Sequence, residues 1–188
     1  MKTGSILLVD DSPDDALLIR LALRKTGITN PVTVVGDGEK AVQYLRGEAP
    51  YEDRQAFPMP ELVLLDLAMP RMGGFDFLEW IRQQPEFRLL PVVVLTGSAL
   101  LADAKRAHQL GASSFVTKPA DLTELALSLK QTTELWLNRP SSDGPRAWER
   151  RQLSEGRSNS LPSFLIGSRI DCVPCLSGVE FSSREPWM

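Results

Sequence analysis

The sequence predicts an α/β fold, built on a doubly wound, five-stranded parallel sheet with helices on both faces. Short apolar runs of strand length alternate with helical patterns five times along the chain, which is the order expected when helices connect parallel strands. The run Leu62 to Leu65 is apolar without alternation and ends at Asp66, as in a strand that is covered on both faces.

The five predicted strands are short, rich in aliphatic residues and bounded by polar or turn-forming residues. They are Ser5 to Val9, Pro31 to Val35, Leu62 to Leu65, Pro91 to Leu95 and Ser114 to Thr117.

The first predicted helix begins after Ser12, a preferred N-cap residue, with Pro13 at the first helical position and Asp15 three residues past the cap. Gly27 is expected to end this helix.

The other predicted helices have apolar residues on one face. Pro85 ends the third, Gly111 ends the fourth and Asp121 caps the last. They span Glu39 to Arg46, Phe75 to Arg82, Ala99 to Leu110, and Leu122 to about Trp136. The polar loop 47–60 is longer than the usual connection.

By analogy with flavodoxin-like sheets of this architecture, we expect the strand order 2-1-3-4-5. We expect the folded domain to occupy residues 1–138. Residues 139–188 are rich in Ser, Pro, Gly and Arg, contain no Lys and keep no helical or alternating period. This composition predicts a low-complexity, disordered C-terminal tail.

The composition narrows the function classes. A formal net charge of −3 argues against a nucleic-acid partner, which usually requires a basic surface. No apolar run approaches the roughly 18 residues that a transmembrane helix needs, and no signal peptide is recognisable. The sequence therefore predicts a cytoplasmic protein with no membrane partner. Cys172 and Cys175 do not make a disulfide framework.

Polar residues follow four of the predicted strands where each strand ends. Asp10 and Asp11 follow the first, Asp66 the third, Thr96 the fourth and Lys118 the fifth. The ends of parallel strands lie on one edge of the sheet, so these side chains are expected to meet there. Crowded carboxylates repel each other unless a cation lies among them, and all-oxygen ligands suit Mg²⁺.

A magnesium ion at this edge suits phosphoryl chemistry. Asp66 would be the nucleophile that forms an acyl phosphate, Lys118 would add a positive charge, and the Thr96 hydroxyl would donate a hydrogen bond to a phosphoryl oxygen. Each residue has an ordinary structural alternative: a helix cap for Asp10 and Asp11, turn residues for Asp66 and Thr96, a solvated charge for Lys118. Their coincidence at successive strand ends favours the phosphoryl site.

The motifs that carry these residues resemble the response-regulator receiver domain of two-component signalling. They are Leu-Val-Asp-Asp after the first strand, Leu-Leu-Asp-Leu-Ala-Met-Pro with Gly73-Gly74, Val-Leu-Thr-Gly-Ser, and Phe-Val-Thr-Lys-Pro. Three further features are similar to short single-domain receivers that serve phytochrome-type histidine kinases: the loop Tyr51 to Arg54, Gly74-Phe75 with Trp80, and the Trp136-Leu137 ending.

The resemblance implies a role for each motif residue. Asp66 would accept the phosphoryl group, with Thr96 and Lys118 binding it. Side chains of Asp11 and Asp66 and the backbone carbonyl of Ala68 would bind Mg²⁺, with Asp10 acting mainly through water.

The resemblance also implies a signalling output. Phe115 matches the aromatic switch position, and we expect the face formed by the fourth helix, fifth strand and last helix to bind a partner or a second copy of the chain. The protein would receive phosphate from a sensor histidine kinase and catalyse only its own phosphorylation and dephosphorylation, so it is not an enzyme in the usual sense. The alternative is a phosphorelay intermediate that passes the phosphoryl group to a histidine phosphotransfer protein.

Other classes fit less well. A haloacid-dehalogenase-like phosphatase needs a second carboxylate at the position of Ala68. A flavodoxin-like protein holds the FMN phosphate after the first strand, where Asp10 and Asp11 would repel it. The pair Cys172 and Cys175 is weak evidence for a redox or zinc module.

Overall fold

The computed structural model describes residues 4–97 and 100–137. Within them, the strands are β1 (Ser5–Val9), β2 (Val32–Val35), β3 (Pro60–Asp66), β4 (Val92–Thr96) and β5 (Ser114–Thr117). These five strands form one sheet in the order β2-β1-β3-β4-β5, and every neighbouring pair is parallel. The predicted fold class and strand order are confirmed.

Helices cover both faces of the sheet because successive strand side chains point to opposite sides. The helices are α1 (Pro13–Lys25), α2 (Gly38–Arg46), α3 (Gly74–Gln83), α4 (Leu101–Gln109) and α5 (Leu122–Leu137). Leu7 and Val9 join a core cluster with α2, α3 and α4, whereas Ile6 and Leu8 join a second cluster with α1 and α5.

Two element boundaries differ from the sequence prediction by two residues, and the others agree with it to within one residue. Strand β3 starts at Pro60, two residues before the predicted start at Leu62, because Pro60 pairs with Ser5 at the strand entrance, a position where proline is tolerated. Helix α4 begins at Leu101 rather than Ala99, and residues 98–99 lie outside the described part of the chain.

The loop between α2 and β3 is packed rather than merely polar. The ring of Tyr44 lies 5.2 Å from that of Tyr51 and 6.2 Å from that of Phe57, measured between centroids. The Arg54 guanidinium donates hydrogen bonds of 2.8 Å to the carbonyl oxygens of Tyr44 and Leu45. The bond to Leu45 satisfies a carbonyl at the end of α2, and the bond to Tyr44 adds a second donor to a carbonyl that also accepts a 3.2 Å bond from the Gly47 N–H.

Gly74 shows why the turn after β3 carries glycine. A Cβ at this position would collide with the backbone of Asp66 and Leu67, so only glycine lets α3 start against the end of β3. The predicted tail, residues 139–188, lies outside the described residues. Within 4–97 and 100–137, no helix is long and apolar enough to cross a membrane.

Candidate functional site

The carboxyl ends of the strands border one cleft of about 460 Å³. Its walls include Asp10, Asp11, Asp66, Ala68 and Lys118. Parallel pairing brings these residues together from distant parts of the sequence, as the strand-end pattern predicts.

Asp66 and Asp10 are buried carboxylates held by the backbone next to them. Asp66, the last residue of β3, is 6 % exposed, and its Oδ2 accepts a 2.6 Å hydrogen bond from the Ala68 N–H. Asp10 follows β1 and is 3 % exposed, and its Oδ1 accepts a 2.9 Å bond from the Ser12 N–H. Each carboxylate keeps its other oxygen for a cation.

That cation is Lys118. Its Nζ lies 2.8 Å from an oxygen of each of three carboxylates, those of Asp10, Asp15 and Asp66. An ammonium group has three N–H donors, so this arrangement satisfies all of them. The crowded carboxylates predict a divalent cation as their counter-charge, and in the structure Lys118 provides a balancing charge.

The pKa shifts follow from this packing. Burial, assisted by the charge of Asp66, raises the pKa of the Asp10 carboxyl, although the bonds from Lys118 and the Ser12 N–H oppose the shift. Burial alone would lower the pKa of Lys118, but its bonds to Asp10, Asp15 and Asp66 raise it well above the usual range. Lys118 is therefore charged throughout the physiological range.

The remaining predicted site residues take different positions. Asp11 and Ala68 are exposed on the cleft wall. Thr96, the last residue of β4, is only 3 % exposed, and its carbonyl accepts a 2.7 Å bond from the Lys118 N–H. Phe115 lies away from the cleft, half-buried against the cluster of α2, α3 and α4.

Asp15 is the site residue that the sequence reasoning missed. The spacing from Ser12 predicts a capping box, and the Ser12 Oγ does accept a 3.2 Å bond from the Asp15 N–H. In a complete capping box the Asp15 carboxylate would also accept a hydrogen bond from the Ser12 N–H. Here that N–H donates to Asp10, and the Asp15 carboxylate contacts Lys118. The available signal was position: the first turn of a helix that directly follows β1 must lie beside the carboxyl edge of the sheet.

A second ion pair fixes the loop that follows Asp66. Arg71 has a left-handed backbone, with φ of 63°, and its guanidinium pairs with Asp37, the N-cap of α2. The Gly38 N–H also donates a 3.1 Å bond to the Met72 carbonyl. These contacts tie the β3–α3 loop, which carries Ala68, to the start of α2.

The oxygen atoms that line the cleft are of the chemical type that binds a hard divalent cation. The carboxylates of Asp10, Asp11 and Asp66 and the carbonyl of Ala68 belong to residues of one cleft, and Mg²⁺ prefers such oxygens. Within the described ranges, no three acidic, histidine or cysteine side chains are grouped as metal ligands. Asp10 and Asp66 each direct one oxygen to Lys118, so a divalent cation bound here would share these carboxylates with the Lys118 ammonium.

Comparison with protein families gives a match to the response regulator receiver domain over residues 6–130. Among curated proteins, the chain is 34 % identical over 140 residues to the probable methanogenesis regulatory protein FilR2 of Methanothrix harundinacea, covering 74 % of this chain and 88 % of the relative. It is 33 % identical over 132 residues to response regulator Rcp1 of Synechocystis, covering 70 % and 88 %.

Solved structures agree with these matches. The phosphorylated cyanobacterial phytochrome response regulator RcpA superposes with a TM-score of 0.66 at 34 % identity, covering 73 % of this chain and 96 % of that one. The Mn²⁺-bound form of Rcp1 superposes with a TM-score of 0.64 at 32 % identity, covering 73 % and 97 %.

Proposed function

Because the chain belongs to the response regulator receiver domain family of two-component signalling, we propose that it is a phosphoacceptor. In this proposal a sensor histidine kinase supplies a phosphoryl group to Asp66 in a Mg²⁺-dependent reaction. The observation that carries it is the buried Asp66 carboxylate at the end of β3, 2.8 Å from the Lys118 ammonium in a cleft open to solvent.

The chemistry requires one bond to form and one to break. A carboxylate oxygen of Asp66 attacks phosphorus while the bond from phosphorus to the phosphohistidine nitrogen of the kinase breaks, and the electron pair stays on that nitrogen. Lys118 turns to a phosphoryl oxygen and stabilises its charge. Thr96 donates its hydroxyl to another phosphoryl oxygen once its side chain turns to the cleft.

The proposed metal ligands are the side chains of Asp11 and Asp66 and the carbonyl of Ala68, with Asp10 acting through water. A bound Mg²⁺ supplies neutralisation of the phosphoryl oxygens. The Mn²⁺-bound form of the similar protein Rcp1 supports a divalent-ion site in this fold.

The test is phosphorylation by acetyl phosphate with and without MgCl₂, followed by mass measurement of the intact protein. Wild-type chain is expected to gain a phosphoryl group only with Mg²⁺, and Asp66→Asn is expected to gain none. Asp76→Asn is the control, since Asp76 is an exposed acid on the first turn of α3. Equal labelling of wild type and Asp66→Asn would contradict the proposal.

We also propose that the kinase is of the phytochrome type. Similarity to RcpA, a cyanobacterial phytochrome response regulator, supports this partner class. Radiolabel transfer from a purified phytochrome-type kinase to this chain should be faster than transfer from a histidine kinase of another class. Equal rates would remove the support, and rapid loss of the label to a histidine phosphotransfer protein would indicate a relay intermediate instead.

A further inference from the structure

The Lys118 ammonium has three carboxylate partners, and they differ in their access to water. The side chains of Asp10 and Asp66 are 1 % and 8 % exposed, whereas that of Asp15 is 41 % exposed. All three distances are 2.8 Å, so Lys118 has no free N–H for a further ligand. Any new oxygen that binds Lys118 must replace one of these partners.

The costs of losing each partner are unequal. A buried carboxylate that loses its counter-charge pays a large desolvation cost, whereas a half-exposed one is solvated again by water. Asp10 and Asp66 can release Lys118 only when another cation replaces it. When that happens, Asp15 is the carboxylate left to hold the ammonium.

We propose that Asp15 is a positioning residue that holds the Lys118 ammonium on the α1 side of the cleft when Asp10 and Asp66 are engaged by a divalent cation. This inference rests on the proposed function, since it assigns to Asp15 the control of a group in that site. Without Asp15, Lys118 has only the two buried carboxylates as partners and competes with the cation for them. Its ammonium is then also less well fixed for a phosphoryl oxygen.

The chain offers a matched control. Asp14 precedes Asp15 in the first turn of α1, is exposed, and takes part in none of the ion pairs seen among the described residues. Asp14→Asn and Asp15→Asn therefore remove the same charge from the same helical turn, but only the second removes a Lys118 contact.

The first measurement is calorimetric titration of each variant with MgCl₂ alone, in the wild-type and the Lys118→Met background. With Lys118 present, Asp15→Asn should weaken Mg²⁺ binding about threefold relative to Asp14→Asn, as expected for a partly exposed ion pair. With Lys118→Met, the two variants should bind Mg²⁺ alike. If Asp15 acted only as a nearby negative charge, its effect would persist or grow in the Lys118→Met background, and that result would overturn the proposal.

The second measurement is the ¹H–¹⁵N signal of the Lys118 ammonium at saturating MgCl₂. The signal should be protected from exchange with water in wild type and Asp14→Asn, and lost in Asp15→Asn. A protected signal in Asp15→Asn would overturn the proposal even if acetyl phosphate labels Asp66 as expected. Absence of Asp66 labelling with the ammonium signals as expected would instead contradict the proposed function alone.

Discussion

Among the described residues, the Lys118 ammonium is the one positive charge in contact with both Asp10 and Asp66. Lys118→Met should lower the free energy of unfolding at about pH 7 by roughly 2–4 kcal/mol, because it leaves two buried carboxylates without a counter-charge. Urea unfolding measures this loss. Lys105→Met is the control, since Lys105 is exposed on α4, and its unfolding should match wild type.

The destabilisation caused by Lys118→Met should become smaller as the pH is lowered. Burial already raises the pKa of Asp10, and loss of Lys118 removes an interaction that opposes the shift. A carboxyl whose pKa is higher in the folded than in the unfolded protein gains stability as the pH falls through that range. In wild type, Lys118 stays charged over this pH range and opposes protonation of Asp10, so wild type gains less stability in acid than Lys118→Met does. A penalty independent of pH between about 7 and 5 would contradict this account.

The sequence is enough to predict which residues lie in the site, but not which contacts they make with each other. Asp10, Asp66 and Lys118 follow strands, and parallel pairing is enough to bring them together. The sequence predicts that Asp15 belongs to a helix cap, because a one-dimensional pattern shows the spacing from Ser12 but not the direction in which the carboxylate turns. The tertiary fold determines whether the Asp15 carboxylate binds the backbone N–H of Ser12 or the ammonium of Lys118.

At the scale of elements, the link between α2 and the β3–α3 loop depends on Asp37. Its Oδ1 accepts a 2.8 Å bond from the Lys40 N–H, and its Oδ2 pairs with Arg71. Burial raises the pKa of Asp37, but the bonds from Lys40 and Arg71 outweigh it and leave the pKa below its usual value. Asp37 therefore stabilises the fold above a pH of about 3.8, and this contribution is lost as the pH falls through the folded pKa.

Asp37→Asn separates the ion pair from the helix cap. Asparagine caps helices as well as aspartate, so the bond to the Lys40 N–H can persist while the charge for Arg71 is lost. The variant should unfold at lower urea than wild type at about pH 7, and the two midpoints should converge as the pH falls through the folded pKa of Asp37, which lies below 3.8. Glu39→Gln, which removes an exposed charge 3.9 Å from Arg71, should change the midpoint little. A difference that persists in acid would assign the effect to the cap.

The loop before β3 shows what the sequence does not reveal at this scale. Its prolines and charges predict a polar connection, whereas Tyr51 and Phe57 pack on Tyr44, and Arg54 binds carbonyls of α2. These contacts have no local period, since they join a loop to the end of a helix. The central strands are predictable because they bury continuous apolar runs, and the helices are predictable because each has apolar residues at helical spacing.

At the scale of the whole molecule, the strand order of the sheet could be predicted only by analogy with known folds.

The signalling response that we expect after phosphorylation depends on Phe115. Phe115 is half-buried against the α2, α3 and α4 cluster, in register with Val94. Phe115→Ala should be phosphorylated by acetyl phosphate nearly as wild type, yet lose phosphate-dependent dimerisation or partner binding through the α4–β5–α5 face. Light scattering before and after phosphorylation measures dimerisation.

Val116→Ala is the matched control for Phe115→Ala. Val116 is the next residue of β5 and packs against the opposite cluster, so its truncation should leave the response intact. An unchanged response in Phe115→Ala would show that Phe115 is not the switch. Equal loss in both variants would indicate general loosening of β5.

The C-terminal end of the folded unit gives the last prediction. Leu125, Ala126 and Leu129 of α5 are buried in the cluster with α1, and Trp136 and Leu137 pack against the same cluster. A chain truncated after Asn138 keeps every one of these contacts, so its free energy of unfolding should stay within about 0.5 kcal/mol of the full chain. A chain truncated after Glu134 loses Trp136 and Leu137 and should be destabilised by about 2–3 kcal/mol, the value expected for two partly buried apolar side chains. Urea unfolding and acetyl phosphate labelling of the two truncated chains test the boundary. Loss of cooperative unfolding in the longer one would mean that residues beyond 138 belong to the folded domain.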